Sequence, residues 1–312
     1  MTAYIIDKNG AERRLPPLLS WELEYADCDA GGAFEVKLLY DSGLKDALHA
    51  SCALRAVHAG KTVLCGVIDE YRVTAGPVGI TATVSGRTAE AVLMDNECEA
   101  AEYSRMTLKT LVKTYVQPYF DGSVELGEEA AVRDLTVASG ASAWSVLCTF
   151  MTLAGLPRPV CTAEGTLYLG TLPPAKSVRL QEGSLDSAQL RDCRYGMASE
   201  YTVINRIRGR RYEACDDDFI SRGGCARRVL NVDRNVSLDA MKKTAENRIA
   251  LLNRNKHTVT VKTPLLFAAQ PGDTVSVCEK LLGVCGEYKV TQCRVYADEF
   301  RSYTEICAEV RD

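Results

Sequence analysis

The chain is poor in the residues and motifs on which most self-contained active sites depend. Its 312 residues include only His49, His58 and His257 as histidines, so acid–base and nucleophilic chemistry of the usual kinds has few partners. The sequence also has no nucleophile elbow of the Gly-x-Ser-x-Gly type, no Gly-rich phosphate-binding loop and no His-Glu-x-x-His helix. These absences remove the self-contained sequence signals of an active site.

A long apolar run and an excess of positive charge are also lacking. The most apolar stretch, Trp144–Leu156, is interrupted by polar residues and is shorter than the roughly 20 residues that a membrane-spanning helix needs. The formal net charge is −4, from 37 Lys and Arg against 41 Asp and Glu, so nothing global attracts nucleic acid or an anionic lipid surface. We expect neither a membrane partner nor sequence-specific nucleic-acid binding.

Cysteine, by contrast, is unusually frequent, with 13 residues. No pair is spaced Cys-x-x-Cys, and an odd count leaves at least one thiol unpaired in any intramolecular disulfide scheme. Residues 1–14 lack the apolar core of a signal peptide, which favours synthesis in a reducing cytoplasm. The sequence thus predicts reduced cysteines that pack as small hydrophobic side chains, for example Cys65 between Val63 and Val67.

Two clusters of potential ligands or acids have simpler structural explanations. His49, Cys52 and His58 approach zinc-ligand spacing but lack a second tight pair of ligands, so no metal site is expected. The run Asp216–Asp218 offers carboxylates for acid–base chemistry, but it belongs to the polar, glycine-containing stretch 212–228. That composition is typical of a solvated surface loop.

Strand patterns dominate both ends of the chain. Apolar and polar residues alternate over 34–40 and 63–73, and turn residues separate the second run from a new strand at 80–84. Alternation returns near the C-terminus at 258–262 and 304–310. Short strands with turns and no long helix between them are typical of antiparallel barrels or sandwiches.

The middle of the chain adds helices. Apolar residues recur at helical spacing, behind Thr or Ser residues suited to capping, near 107–117, 142–154 and 238–252. We therefore predict an α+β chain, mostly β, with two similar antiparallel β-barrel domains flanking a mixed α/β middle region. The predicted boundaries are an N-terminal barrel at 1–90, a middle region at 91–255, and C-terminal strands at 256–312 that complete the second barrel.

Arg206, Arg208 and Arg210 are the candidate interface residues. The pattern over 201–210 predicts a strand, and a period of two places all three guanidinium groups on one face. Such a stripe suits a solvent-facing strand, a contact between molecules, or phosphate binding in nucleic acid. Because like charges on one face repel, the stripe favours contact with an acidic partner surface. We predict that these residues contribute to a subunit or partner interface.

Two β-rich stretches carry short motifs in a definite order. In the first, the hairpin strands Val63–Tyr71 and Ile80–Thr88 end in Gly-Arg-Thr and precede Ala91–Glu97, which contains Leu-x-Asp. In the second, the Pro-Gly-Asp turn Pro271–Asp273 precedes a Gly-x-Tyr-x-Val strand that begins at Gly286. Three weaker motifs lie between them in the order Thr107-Leu108, Ser142-Ala143-Trp144 and Asn205-Arg206-Ile207.

In this order and spacing, the chain resembles the baseplate hub proteins of contractile phage tails and R-type bacteriocins, the late control D family. The resemblance spans nearly the whole chain, although the cysteine content and the Asp216–Asp218 run depart from it. It implies a structural protein that is not an enzyme, with no catalytic residues and no cofactor. It also implies a homotrimer, whose two barrels per chain give six quasi-equivalent units. Such a ring joins a hexameric tail tube to a trimeric central spike within the baseplate.

The resemblance also implies other baseplate proteins as partners. The protein would be made in the bacterial cytoplasm and assembled into a virion or an extracellular phage-tail-like particle. A tail-associated peptidoglycan hydrolase or endopeptidase, or a tail-tip protein of a non-contractile phage, is the alternative. A carbohydrate-binding module is a third possibility, for which Trp21 and Trp144 offer little aromatic surface, since Trp144 lies in the predicted buried helix.

Overall fold

The computed structural model describes residues 1–26, 31–77, 79–181, 183–232, 236–254 and 256–310, so Cys28 lies outside the described residues. Strands make up most of its regular structure. They are β1 (Thr2–Asp7), β2 (Glu12–Arg14), β3 (Leu18–Ala26), β4 (Ala33–Leu39), β5 (Ser51–His58), β6 (Lys61–Gly76), β7 (Gly79–Thr88), β8 (Ala101–Thr107), β9 (Val124–Leu126), β10 (Ala131–Val137), β11 (Val160–Cys161), β12 (Leu167–Leu169), β13 (Ser177–Arg179), β14 (Ser187–Asp192), β15 (Glu200–Asn205), β16 (Arg210–Cys215), β17 (Arg227–Asn231), β18 (His257–Thr263), β19 (Thr274–Glu279), β20 (Val284–Ala297) and β21 (Ser302–Val310).

The helices lie mainly in the middle of the chain. They are α1 (Lys45–Ala50), α2 (Ala91–Asp95), α3 (Leu108–Leu111), α4 (Ala143–Ala154), α5 (Asp217–Ser221) and α6 (Leu238–Asn253). A π-helical turn at Val112–Val116 extends α3, and short 3₁₀ turns occupy Ser42–Leu44 and Lys280–Leu282.

Polar caps fix where the longer helices begin. The Ser142 hydroxyl accepts a hydrogen bond from the Ser145 amide (3.2 Å), and the Ser237 hydroxyl accepts one from the Ala240 amide (3.1 Å). Helix α4 ends at Gly155, whose φ of 68° is a left-handed conformation that glycine adopts without strain. The helix predicted over 142–154 is confirmed, and α3 and α6 lie where the other two were predicted.

One large sheet contains strands from both ends of the chain. Its order is β14-β18-β21-β20-β3-β4-β7-β6-β5-β1-β2, with β19 on the other part of β20 and β13 beside β19, giving 13 strands among the described residues. Strand β20 pairs with β3 over Gln292–Ala297 and Trp21–Ala26, which connects the N-terminal and C-terminal strands directly. The mostly β, antiparallel character of the chain is confirmed.

Both ends of the chain also share a hydrophobic core. Leu23 and Val36 from the N-terminal strands are buried in the same cluster as Val290 and Ile306 from the C-terminal strands. A second core surrounds α4, and a third lies between α6 and the small β16-β15-β17 sheet. The described strands therefore pair as one large sheet and not as two separate barrels. Strands β13 and β14, which belong to the predicted middle region, also join this sheet.

The region 201–231 differs from the sequence expectation. The predicted strand ends at Asn205, and the predicted loop over 212–228 contains part of β16, all of α5 and the beginning of β17. The run Asp216–Asp218 is not a free acidic loop, because the Asp216 carboxylate caps α5 by accepting from the Phe219 amide (2.8 Å). A capping Asp followed by acidic residues in the first turn is a helix start that composition alone concealed.

One disulfide contradicts the prediction that every cysteine is reduced. Cys278 on β19 and Cys285 on β20 stand directly opposite each other in the antiparallel register and are bonded. Cross-strand neighbours of this kind have close Cβ atoms although they are seven positions apart in sequence. A search for Cys-x-x-Cys spacing does not detect such a pair.

Two glycines allow β6 and β7 to approach β4 closely. A Cβ atom at Gly86 would overlap the carbonyl oxygen of Val67 and would lie 2.8 Å from the Phe34 ring. A Cβ atom at Gly66 would also lie 2.8 Å from that ring. The buried Phe34 side chain therefore occupies space that only a glycine pair leaves open.

We expect Gly86→Ala to lower the free energy of unfolding by about 1–3 kcal/mol, because the methyl group must displace either β6 or the Phe34 ring. Gly76→Ala is the matched control, since nothing lies within 4 Å of its Cβ position, and it should change stability by less than about 0.5 kcal/mol. Chemical denaturation of both variants measures the difference. Equal stability of the two would show that the strands relax around the added methyl group.

Candidate subunit interface

The Gly-Arg-Thr and Leu-x-Asp motifs meet in one ion-pair cluster. Arg87 at the end of β7 donates to both carboxylate oxygens of Asp69 on β6 (2.8 Å each) and to both of Asp95 in α2 (2.9 and 2.7 Å). These bonds raise the pKa of the Arg87 guanidinium and lower the pKa of Asp95. The cluster fastens the start of the middle region to the large sheet, so these motifs have a structural role.

A buried carboxyl group lies beside this cluster. Glu90 is 6% exposed, and its Oε1 accepts a hydrogen bond from the Thr88 hydroxyl (2.7 Å). The Thr88 oxygen in turn accepts from the Gly32 amide (2.8 Å), and the Cys161 thiol lies next to the Glu90 carboxyl. Burial raises the pKa of both Glu90 and Cys161. Sequence reasoning passed over Glu90, and no spacing marked it as a buried acid.

The Pro-Gly-Asp motif is a second joint. Asp273 is buried, and its two carboxylate oxygens accept from the backbone amides of Lys176 (2.7 Å) and Gln270 (2.8 Å). The Gln270 side-chain oxygen accepts from the Ala163 amide at 3.3 Å. The turn thereby connects the C-terminal strands to the segments that precede β12 and β13. The hydrogen bonds to backbone amides explain the buried Asp273 carboxylate as a structural group, with no catalytic role needed.

The far end of the β6–β7 hairpin presents an exposed apolar surface at the edge of the large sheet. Residues Asp69–Gly76 of β6 are all exposed, and their only strand partner among the described residues is β7. Tyr71 and Val73 lie opposite the buried Val84 and Ala82, so they continue the apolar face of the sheet beyond its core. Tyr71 is 39% exposed and Val73 is 41% exposed.

A strand with an open edge and an apolar face is typical of a docking surface. Its unpaired backbone groups accept another strand, and its apolar side chains gain stability when they are covered. We call this segment, Asp69–Gly76 with Ile80, the projecting hairpin. Alternation in the sequence predicted the hairpin. The point at which the hairpin passes from buried to exposed depends on contacts with residues distant along the chain.

The structure does not place the three candidate arginines on one face of a strand. Arg206 and Arg208 lie in the turn between β15 and β16, and Arg210 is the first residue of β16. The Asn205 side-chain oxygen accepts from the Arg208 amide (3.1 Å), and Gly209 has a φ of 62°, so local turn chemistry overrides the alternating pattern. All three arginines are exposed within this one turn, and their role in an interface stays a prediction.

The remaining candidates occupy separate places. His49 ends α1, whereas Cys52 and His58 lie on β5. Among the described residues no three His, Cys, Asp or Glu side chains are grouped as they would be around a metal ion. No helix in the described ranges is long and apolar enough to cross a membrane.

Comparison with known proteins identifies the fold. A tail protein from Neisseria meningitidis MC58 superposes with a TM-score of 0.74 at 19% identity, over 98% of this chain and 95% of that one. The 43 kDa tail protein of prophage MuSo2 from Shewanella oneidensis gives 0.77 at 14% identity, over 99% and 98%. The chain has the fold of phage tail proteins.

A third match extends the likeness beyond phage particles. The E. coli c3393 protein, described as a type VI secretion component similar to the tail proteins gp27 and gp5 of phage T4, gives a TM-score of 0.57 at 11% identity. It covers 95% of this chain and 74% of its own. No protein-family model and no curated protein matches the sequence. The resemblance to baseplate hubs is therefore confirmed at the level of the fold.

Replacing the buried carboxyl group should change how stability depends on pH. Because burial raises the Glu90 pKa above its ordinary value of 4.5, the folded state holds this proton more tightly, and stability is lost as pH rises above that value. Glu90→Gln cannot ionise, so its free energy of unfolding relative to the native protein should increase from pH 4.5 to pH 7. Urea titrations across this range measure the difference.

Asp95→Asn is the control of opposite sign. Arg87 lowers the Asp95 pKa, so this carboxylate stabilises the fold at neutral pH and loses that effect as pH falls. The substitution should lower the free energy of unfolding by less than about 1 kcal/mol at pH 7, because the Arg87–Asp95 pair is partly exposed. It should leave the free energy of unfolding unchanged in acid, where Asp95 is protonated. A Glu90→Gln variant whose relative stability is flat or falls with pH would show that Glu90 is solvated.

Proposed function

We propose that the protein is the structural hub of the baseplate in a contractile tail or phage-tail-like particle. The observation that carries the proposal is the agreement in fold over the full length of both tail proteins, which makes the whole chain, rather than one module, the counterpart of a tail component. The motifs that resemble the hub family hold the sheet and the middle region together, which suits a structural protein. We propose no catalytic role.

In the proposed assembly three copies form a closed ring. Each chain contributes its N-terminal strands and its C-terminal strands, which share one sheet and one core, as two similar sets of strands, so that three chains offer six quasi-equivalent positions. Such a ring fits a hexameric tail tube on one side and a trimeric spike on the other, with further baseplate proteins around it. A head-to-tail contact that closes after three copies satisfies this symmetry.

The projecting hairpin is the proposed contact between copies. A neighbouring subunit would pair with its open edge and would cover the exposed side chains of Tyr71, Val73 and Ile80, removing them from water. The three arginines of the β15–β16 turn are a second proposed contact, toward an acidic surface of a subunit or partner. The protein would be made in the bacterial cytoplasm and assembled into the baseplate of a virion or an extracellular phage-tail-like particle.

The mass of the protein in solution tests the ring. Light scattering of the purified chain, alone and mixed with the spike encoded beside it, should give close to three times 34.1 kDa in at least one condition. Val73→Glu places a charge on the apolar face of the projecting hairpin and should reduce the mass toward one chain. Thr74→Glu, its neighbour on the opposite face, is the matched control and should still form the trimer.

A monomer in both conditions would contradict the hub. Digestion of purified cell wall by the same preparation, abolished by a single carboxylate substitution, would establish the hydrolase instead. If Val73→Glu and Thr74→Glu both form trimers, the ring stands but its contact lies elsewhere.

The arginine turn has its own test. We expect simultaneous replacement of Arg206, Arg208 and Arg210 by alanine to leave thermal unfolding of the chain unchanged, since all three are exposed and form no ion pair within the described part of the chain. The same replacement should reduce assembly with the other baseplate proteins. Replacement by lysine should restore assembly in part, because the charge returns without the planar fork. Unchanged assembly in the alanine variant would refute an interface at this turn.

A further inference from the structure

A broad groove separates the middle region from the C-terminal strands. Its volume is about 1640 Å³, and it is lined by α4, α6 and the ends of neighbouring strands. Hydrogen bonds join the two helices directly: Lys243 of α6 donates to the carbonyl oxygen of Ala154 (3.5 Å), and Asn247 donates to that of Thr152 (3.5 Å). We call it the α4–α6 groove. It is larger than the roughly 300–1,000 Å³ of small-molecule sites and has room for a peptide segment.

The charge of the groove is opposite to that of the whole chain. The chain has a net charge of −4, whereas the described lining has six basic residues against four acidic ones. The basic residues come from four separate parts of the sequence, so the fold brings them together: Arg158, Arg222, Arg248, Arg254, Lys256 and Lys289.

Most of the acidic residues are already engaged within the protein. Asp216 caps α5 and accepts from the Asn253 amide group (2.5 Å), while Asp192 and Asp218 accept from Arg222 at 3.4 and 2.9 Å. Arg248 and Lys289 are exposed and form no ion pair with any residue of the described ranges. These two cations remain available to a ligand in the groove.

Apolar side chains lie between the charges. Leu153 of α4 and Leu156, just after that helix, line the groove, and Leu251 of α6 is 45% exposed. A single-stranded nucleic acid would find no exposed aromatic ring for base stacking in the described lining, because Trp144 is only 8% exposed. Cations with intervening leucines match a peptide that carries carboxylates on one side and apolar anchors on the other.

We propose that the α4–α6 groove binds an acidic, amphipathic segment of a partner protein. Arg248 and Lys289 pair with its carboxylates, and Leu251 contacts its apolar anchors. No residue of the projecting hairpin lines the groove within the described ranges, so peptide binding and ring formation are independent and can fail separately.

The test uses a synthetic peptide of about 14 residues, roughly four helical turns, with Glu and Leu at amphipathic helical spacing. The protein carries Trp21→Phe, so that fluorescence reports Trp144, which lines the groove. The same peptide with Lys in place of Glu, and a single-stranded oligonucleotide, serve as comparison ligands. Binding is measured by fluorescence and by calorimetry at two salt concentrations.

We expect the acidic peptide to bind more tightly than the basic one and to shift the Trp144 emission. Arg248→Glu with Lys289→Gln should weaken binding of the acidic peptide about tenfold or more, and higher salt should also weaken this binding. Lys45→Glu with Lys61→Gln makes the same charge change on exposed residues outside the groove and should leave affinity unchanged. Leu251→Gln, which keeps every charge, should also weaken binding.

Three results would overturn the proposal. The first is an acidic peptide that binds no better than its basic counterpart. The second is equal affinity of the groove variant and the control variant, whose folding is verified by circular dichroism. The third is an oligonucleotide that binds through Arg248 and Lys289 while the acidic peptide does not, which would identify the groove as a nucleic-acid surface.

Discussion

The pairing of β3 with β20 joins strands that are more than 260 residues apart in sequence, and the large sheet depends on it. Side chains reinforce the backbone ladder: Arg294 donates to Glu22 (2.7 Å) and Gln292 donates to Glu24 (2.6 Å). Without this pairing the N-terminal strands and the C-terminal strands would each present an open edge and part of an apolar face. The shared core of Leu23, Val36, Val290 and Ile306 forms only when the two edges meet.

The joints around Arg87 and Asp273 attach the remaining parts to that sheet. Each uses one side chain that makes several bonds: Arg87 reaches two carboxylates, and Asp273 accepts from two backbone amides. Because both lie where a segment enters or leaves the large sheet, they set the position of the middle region relative to it.

Local signals predicted what local physics controls. The caps at Ser142 and Ser237 and the glycine at 155 located α4 and α6, and alternation located β4 and the β6–β7 hairpin. The same alternation was wrong over 206–210, because the Asn205 side chain and Gly209 turn the chain there.

Features that depend on strand register or on contacts between distant segments could not be predicted from the sequence. Neither the single continuous sheet nor the Cys278–Cys285 bond follows from spacing, since both depend on strand register. The cations of the α4–α6 groove are equally scattered in sequence. Trimer symmetry has no counterpart in a single chain's pattern, and it rests on the resemblance alone. Glu90 escaped notice because an isolated Glu carries no pattern, and only the fold reveals that it is buried.

The separation of β3 from β20 also has a consequence during protein synthesis. A ribosome that adds about 5–20 residues per second leaves β3 without its partner for roughly 13–50 s after β3 emerges. During that interval the nascent chain presents an open, partly apolar strand to chaperones and to neighbouring nascent chains. A chain truncated before β20 never covers that edge, so the order of strands along the gene makes completion of translation a condition for a closed core.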